Sequence, residues 1–197
     1  MSGGTLHELI KQPGKPLEDR IVLNYTSQIA SALRYIHQEH RIIHRDVKPS
    51  NVLLTDHKHL DHKTLKLCDF GIALKLESGQ RLKGKIGAPG TLNYLAPEIL
   101  GACEYDFKAD IWSLGCVVFE MIEREKAFPE NCCHSRRFKT MFLINVLLEP
   151  KQEKRPSAEE LLILLENMAL IEECTNDGSR WWNFSFWPKG KRTYHLK

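Results

Sequence analysis

Apolar side chains at Val22, Tyr25, Ile29, Leu33 and Ile36 recur every three or four positions between Leu17 and Gln38. That spacing lines one face of an amphipathic helix. Pro13 and Pro16 cannot continue it backwards, so it is expected to begin near Leu17. Val52–Leu54 and Leu65–Leu67 are short β-prone runs, and the polar stretch Thr55–Thr64 between them reads as a hairpin loop. From 72 to 95 the pattern dissolves. Gly79, Gly84, Gly87, Pro89 and Gly90 mix with Lys and Arg, which predicts a long irregular loop. Helical spacing returns at Ile111, Leu114, Val118 and Met121, and further apolar residues around them predict a helix over Ala109–Glu123 that is buried on most sides. Met141–Leu148 predicts a short apolar helix. After Pro156, Ser157 and Glu160 form the capping box of a Leu-rich helix through Leu161, Leu165, Met168 and Ile171, and the packed domain is expected to end near Ile171.

Composition narrows the class without naming it. A chain of 197 residues with 42% hydrophobic content can bury one sizeable core. Lys plus Arg 28 against Asp plus Glu 25 leaves +3, too balanced for an overall nucleic-acid or membrane-surface field, so any charged site is local and no nucleic-acid partner is expected. The six cysteines form no C-x-x-C pair, which fits a reducing compartment. The start Met-Ser-Gly-Gly-Thr-Leu-His-Glu lacks the basic and apolar regions of a signal peptide, and Ser2 stands where myristoylation needs glycine. The apolar run Ile111–Ile122 contains Ser113, Gly115 and Glu120 and is too short to span a bilayer. The expected location is cytoplasmic or nuclear, with no membrane contact.

Chemistry concentrates in three motifs in order: His44-Arg45-Asp46-Val47-Lys48-Pro49-Ser50-Asn51, then Asp69-Phe70-Gly71, then Ala96-Pro97-Glu98. Phosphoryl transfer passes through a loose transition state, so it needs positioning and charge neutralisation more than covalent help. Asp46 suits orienting a substrate hydroxyl and accepting its proton. Lys48 can reach the transferred phosphate as a mobile cation, while Asn51 and Asp69 are hard oxygen ligands suited to magnesium. Each short motif is cheap alone; all three in order, with a strand between the first two, are not.

With these residues in view, the chain resembles the eukaryotic protein kinase family from about Ser2 to Ile171. Gly90-Thr91-Leu92-Asn93-Tyr94-Leu95, Lys108-Ala109-Asp110-Ile111-Trp112-Ser113-Leu114-Gly115 and Glu153-Lys154-Arg155-Pro156 extend the likeness. The resemblance implies a mainly α (α+β) fold: a kinase-like C-terminal lobe over 1–171 with a small β-hairpin region, a catalytic loop at 44–51 and a long activation segment at 69–98, followed by an aromatic and basic tail at 172–197. It implies ATP and Mg2+ as cofactors and a protein as substrate. By motif position, Asp110 anchors the catalytic-loop backbone, Glu98 pairs with Arg155, Leu53 packs under the adenine, and Cys68, next to Asp69, faces the nucleotide pocket. Lys48 and Thr91 are similar to the Ser/Thr branch.

Departures from the family shape the expectation further. Ser2-Gly3-Gly4-Thr5-Leu6 looks like the segment after the family's interlobe hinge, and the 43 residues before His44 hold no Gly-rich phosphate loop and no Val-Ala-x-Lys strand. The N-terminal lobe is therefore expected to be missing, and the chain alone to transfer phosphate negligibly. The alternative is a non-catalytic interaction or regulatory module that competes with a complete kinase. Between Glu123 and Met141 the family's helix G is expected to be truncated or missing. Arg45 marks the subset whose activation loop pairs a phosphate with that arginine. Residues 79 to 90 hold no Ser, Thr or Tyr, and Ser78 lies early, so either Ser78 is the switch or, as is expected, the loop needs no phosphate. His57, His59 and His62, alternating with Asp56, Lys58, Asp61 and Lys63, read as a solvated loop rather than a metal site.

Overall fold

In the computed structural model of the chain, residues 3–14, 16–85, 88–125, 127 and 138–175 are described, the stretches 138–141 and 169–175 by their backbone. The described residues up to 165 form one compact unit, and those from 166 onward belong to a second. The chain enters alongside the hairpin: Leu54 N donates to Gly4 O at 2.9 Å, and Thr5 bridges Leu53 in antiparallel fashion. Thr5 then caps α1 (Leu6–Lys11) reciprocally, its hydroxyl accepting from Glu8 N while its own N–H donates to the Glu8 carboxylate.

The long amphipathic helix α2 runs Asp19–Arg34, burying Ile21, Val22, Tyr25, Ile29 and Leu33. It is shorter than the Leu17–Gln38 span its apolar spacing predicts. Glu18 is extended at the N-cap, and the C-terminal end loosens into a single π turn, Tyr35–Glu39. The wider turn places Ile36 and His37 in the interior side by side, an accommodation that a 3.6-residue period cannot show.

Strand β1 (Ile42–Ile43) leads to the first motif, and a short 3-10 turn at Pro49–Asn51 feeds β2 (Val52–Leu54). β2 pairs antiparallel with β3 (Leu65–Leu67), matching Val52 to Leu67 and Leu54 to Leu65. The 72–95 stretch is less irregular than its composition predicts. β4 (Leu74–Lys75) pairs with β1, and β5 (Leu82–Lys83) pairs with β6 (Glu104–Tyr105), which follows α3 (Pro97–Leu100). Two-residue ladders carry no readable alternation, so only the partner strands determine them.

Helix α4 (Lys108–Glu123) is the centre of the core, with Ile111, Leu114, Val117, Val118 and Met121 shielded from solvent. It packs on α2 and on α5 (Phe138–Leu147). Gly115 permits the second contact: a Cβ there would stand 2.7 Å from Leu148 Cδ2 and 2.9 Å from Leu147 Cβ. α6 (Ala158–Thr175) opens on the capping box of Ser157 and Glu160 and runs past Ile171. The expected shortening between Glu123 and Met141 falls largely on residues 126 and 128–137, outside the described residues, as does the aromatic and basic tail from 176 onward.

Candidate active site

The site is built outward from a buried anion. Asp110, in the first turn of α4, is fully buried; its Oδ2 accepts from His44 N and from His37 Nε2, each at 2.8 Å, and its Oδ1 accepts from Arg45 N at 2.9 Å. Three donors converging on one carboxylate turn the chain at 44–45, where Arg45 takes a left-handed φ of 67°. His44 locks the next step. Its Nδ1 accepts from Asp46 N at 3.3 Å, so its Nε2 is the donor to Cys68 O at 3.1 Å, joining the 44–51 loop to the end of β3.

This turn presents Asp46 to Lys48, Asn51 and Thr91. Asp46 Oδ2 accepts from Lys48 Nζ at 2.6 Å and from Asn51 Nδ2 at 3.0 Å; its Oδ1 accepts from the Thr91 hydroxyl at 2.7 Å. Lys48 Nζ also donates to Thr91 Oγ1 at 2.9 Å. Gly90 lets Thr91 come this close. Its φ is 127°, and a Cβ there would stand 2.9 Å from Arg45 O. Burial alone pushes the Asp46 carboxyl up, but the Lys48 and Thr91 hydrogen bonds, the Lys48 charge and the Asn51 amide outweigh it and hold its pKa below the ordinary value. Asp46 is therefore an anion with its lone pairs directed by three side chains.

Asp69 stands apart from this network. Among the described residues no hydrogen bond joins its side chain to Asp46, Lys48 or Asn51; its Oδ1 accepts from Gly71 N at 3.2 Å, and its φ is 63°. Phe70 beside it is 45% exposed, its ring centre 4.7 Å from that of His44. Cys68 donates its N–H and its thiol to Asn51 O at 2.9 and 3.3 Å, and burial, then the Asp69 charge, raise its pKa, so the thiol stays protonated at neutral pH. Leu53 is half-buried on β2, opposite Lys66. Arg45 directs Nε to Ile72 O at 2.6 Å, and Ser78 sits in an exposed turn.

Farther from Asp46, Arg155 is 1% exposed and places all five of its N–H groups: Nη1 on Glu98 Oε1 (2.8 Å) and Lys108 O (2.7 Å), Nη2 on Glu98 Oε2 (3.2 Å) and Glu149 O (3.0 Å), and Nε on Glu149 O (3.2 Å). Its guanidinium lies over Trp112, 5.2 Å from the ring centre. Two supporting groups escape a motif-based reading. His37 has no signal beyond its place at the helix end. Glu120 does have one, a charged residue inside an apolar run; it is fully buried and accepts from the Tyr94 hydroxyl at 2.5 Å. Burial, then that bond and the Glu120 charge, keep the Tyr94 phenol protonated at any working pH.

The comparisons place this geometry in a family. Residues 1–176 match the protein kinase domain, so the chain belongs to the protein kinase family. It is 36% identical over 185 residues to serine/threonine-protein kinase nekl-2 of Caenorhabditis elegans, covering 81% of this chain and 49% of that one. It is 32% identical over 182 residues to serine/threonine-protein kinase Nek9 of Mus musculus (83% and 18%), and 40% identical over 130 residues to mitogen-activated protein kinase HOG1 of Candida albicans (66% and 31%). The chain thus spans about half, or less, of the length of these relatives. Among the described residues, no helix is long and apolar enough to cross a membrane.

Proposed function

We propose that the chain carries the phosphotransfer loop and substrate-facing segment of a serine/threonine protein kinase, moving the γ-phosphate of ATP to a protein hydroxyl. The observation that carries this reading is the closed network of Asp46, Lys48, Asn51 and Thr91. The Thr91 hydroxyl on Asp46 Oδ1 marks where a hydroxyl sits against this carboxylate. A substrate serine or threonine presented there donates its proton to Asp46 and is oriented for attack. A carboxylate with a lowered pKa is a weak base, which suits a loose transition state in which the nucleophile is deprotonated late. Lys48, held between Asp46 and Thr91, has its ammonium beside the same oxygen and offers a cation to the transferred phosphate.

The donor set fits magnesium. Both Nδ2 hydrogens of Asn51 go to Asp46, one to its backbone O at 2.9 Å and one to Oδ2, leaving the amide oxygen as one hard ligand, and the exposed carboxylate of Asp69 offers another. Asn51 and Asp69 would hold the ion, which when bound neutralises charge on the nucleotide phosphates. Leu53 on β2 and Cys68, just past the end of β3, would floor the nucleotide. Residues 69–98 serve as the activation segment, and its setting needs no phosphate: Arg45 is engaged by Ile72 O, and the β1–β4 and β5–β6 ladders hold the backbone on either side of Ser78.

The test is transfer of radiolabelled γ-phosphate to a protein acceptor, with calorimetric titration of Mg-ATP alongside. Residues 1–197 alone, whose first 43 hold no Gly-rich loop, are expected to bind Mg-ATP weakly and transfer little; micromolar binding with turnover overturns that expectation. Joined to a relative's Gly-rich loop and lysine strand ahead of Ser2, the chain is expected to transfer phosphate, and Asp46→Asn to lower the rate about 10²- to 10⁴-fold. Asp69→Asn should abolish transfer by removing a metal ligand. Substantial turnover in both variants removes these residues from their roles, and a joined chain that binds a complete kinase without transferring phosphate favours an interaction module.

A further inference from the structure

Strands β1 and β4 share two residue pairs, Ile42 with Lys75 and Ile43 with Leu74. A ladder that short holds little by itself. Immediately before β1 the backbone of Arg41 turns into the left-handed region, at φ 54°, a conformation that strains a residue with a Cβ and that glycine takes freely. Its carbonyl still accepts from Leu76 N at 2.7 Å, and its side chain folds back onto the end of β4, where Nε donates to Leu76 O at 3.0 Å and Nη2 to Glu77 O at 2.8 Å. The guanidinium thus continues the ladder after the backbone has left it. Arg41 Cζ stands 5.8 Å from the centre of the Phe107 ring, which in turn lies 5.0 Å from the ring of His37, the donor to Asp110. Past Leu76, the turn that carries Ser78 closes on itself, with Glu77 N donating to Gln80 Oε1 at 2.7 Å and Gln80 N to Glu77 O at 3.0 Å. One carbonyl, that of Glu77, therefore receives both the turn and Arg41.

We propose that Arg41 is a positioning residue that fastens the activation segment to the strand leading into the catalytic loop, and that it does there what a phosphate would otherwise do. Nε and Nη2 are adjacent donors of one rigid planar group, so a single side chain spans two successive carbonyls; a lysine ammonium is a point charge on a flexible stem and lacks that fork. Glycine would suit the backbone better than arginine but carries no donor. Strain kept at a position where it could be relieved points to a use for the side chain. Leu76 is fully buried, whereas Leu74, Lys75 and Glu77 to Arg81 are exposed, so this stretch is held at one buried residue and by the Arg41 clamp. Loss of the clamp opens the segment locally and leaves the α4 core closed. The consequence for phosphotransfer rests on the kinase reading above; the clamp itself does not. A chain whose segment is seated for only a fraction of the time binds its protein acceptor more weakly by that fraction, and turns it over at the same rate once it is bound.

Hydrogen exchange of residues 1–197, followed by mass spectrometry, tests the clamp without calling on activity. Arg41→Gly relieves the backbone and removes the fork; Arg41→Lys keeps the charge without the fork. In both, exchange over 74–80 is expected to quicken at least ~10-fold, as for the loss of hydrogen bonds from a charged donor, while exchange in α4 stays as it was. In the chain joined to a Gly-rich loop and lysine strand, both variants should raise KM for the protein acceptor about 10-fold and leave kcat within about two-fold, and Ser78→Ala should change neither. Unaltered exchange over 74–80, equal acceleration in α4, a fall in kcat at unchanged KM, or a Ser78→Ala defect as large as that of Arg41→Gly overturns the proposal. A joined chain that transfers nothing before any substitution counts against the kinase reading, and the exchange result then decides the clamp alone.

Discussion

Asp110 and Asp69 are both aspartates in three- to eight-residue motifs, yet the molecule treats them oppositely. Asp110 is wholly buried, with three donors on its two oxygens; Asp69 is exposed, with one bond to the backbone two residues on. The same contrast extends around them. Arg155 has every N–H satisfied in the interior, whereas Phe70 turns 45% of its surface to solvent. The buried charges shape the 44–51 loop and fasten α3 to the segment ahead of α6, and the exposed Asp69 carboxylate is left for ligands. A motif residue's identity therefore does not reveal whether it holds the fold or serves the chemistry; its burial does.

Breaking the buried side should have the largest effect. Asp110→Ala leaves His44 N, Arg45 N and His37 Nε2 without their acceptor, at about 1–3 kcal/mol for each buried donor. Urea unfolding should show a loss on the order of 3 kcal/mol or more; a loss under ~1 kcal/mol would mean that the loop is shaped by something else. Arg155→Ala strands the Glu98 carboxylate and is expected to cost ~3–5 kcal/mol. Thermal melts of Arg155→Ala, Glu98→Ala and the double variant should be non-additive, and additivity would show that the pair is uncoupled. On the exposed side, Asp69→Asn should shift stability by no more than ~0.5 kcal/mol, so a large loss there would erase the contrast.

The smallest effect sharpens it. Asp46 lies between the two extremes, and its folded pKa is lowered from 3.8, so it stabilises the fold above that pH and loses this contribution as the pH falls through the lowered value. Acid unfolding followed by fluorescence should show a decline below pH 3.8 that shrinks in Asp46→Asn. An identical acid profile in the variant would mean that the Lys48 and Thr91 contacts do not persist in solution.

The long elements were legible from periodicity: α4 is displaced by a residue at its start, and β2 and β3 fall where the apolar runs put them. The loop motif gave Asp46, Lys48 and Asn51 as one cluster because a few residues of contiguous chain keep them near one another. Less was legible where contacts join distant segments. The π turn, the β1–β4 and β5–β6 ladders, and the bond from Thr91 to Asp46 depend on partners that lie 21 or more positions away or on one surplus residue in a helix, and neither leaves a local period.

The anchoring of the 44–51 loop by Asp110 also sets an order of events during synthesis. His44 and Arg45 are bonded to a residue 66 and 65 positions later, and Asp46 to a hydroxyl 45 positions later. Closing such spans costs chain entropy that only the docked α4 helix repays. At about 5–20 residues per second, roughly 3–13 s separate the translation of Arg45 from that of Asp110. Throughout that interval the left-handed backbone at Arg45 has no carboxylate to hold it. A nascent chain halted between the two contains every residue of the His-Arg-Asp motif and none of its shape.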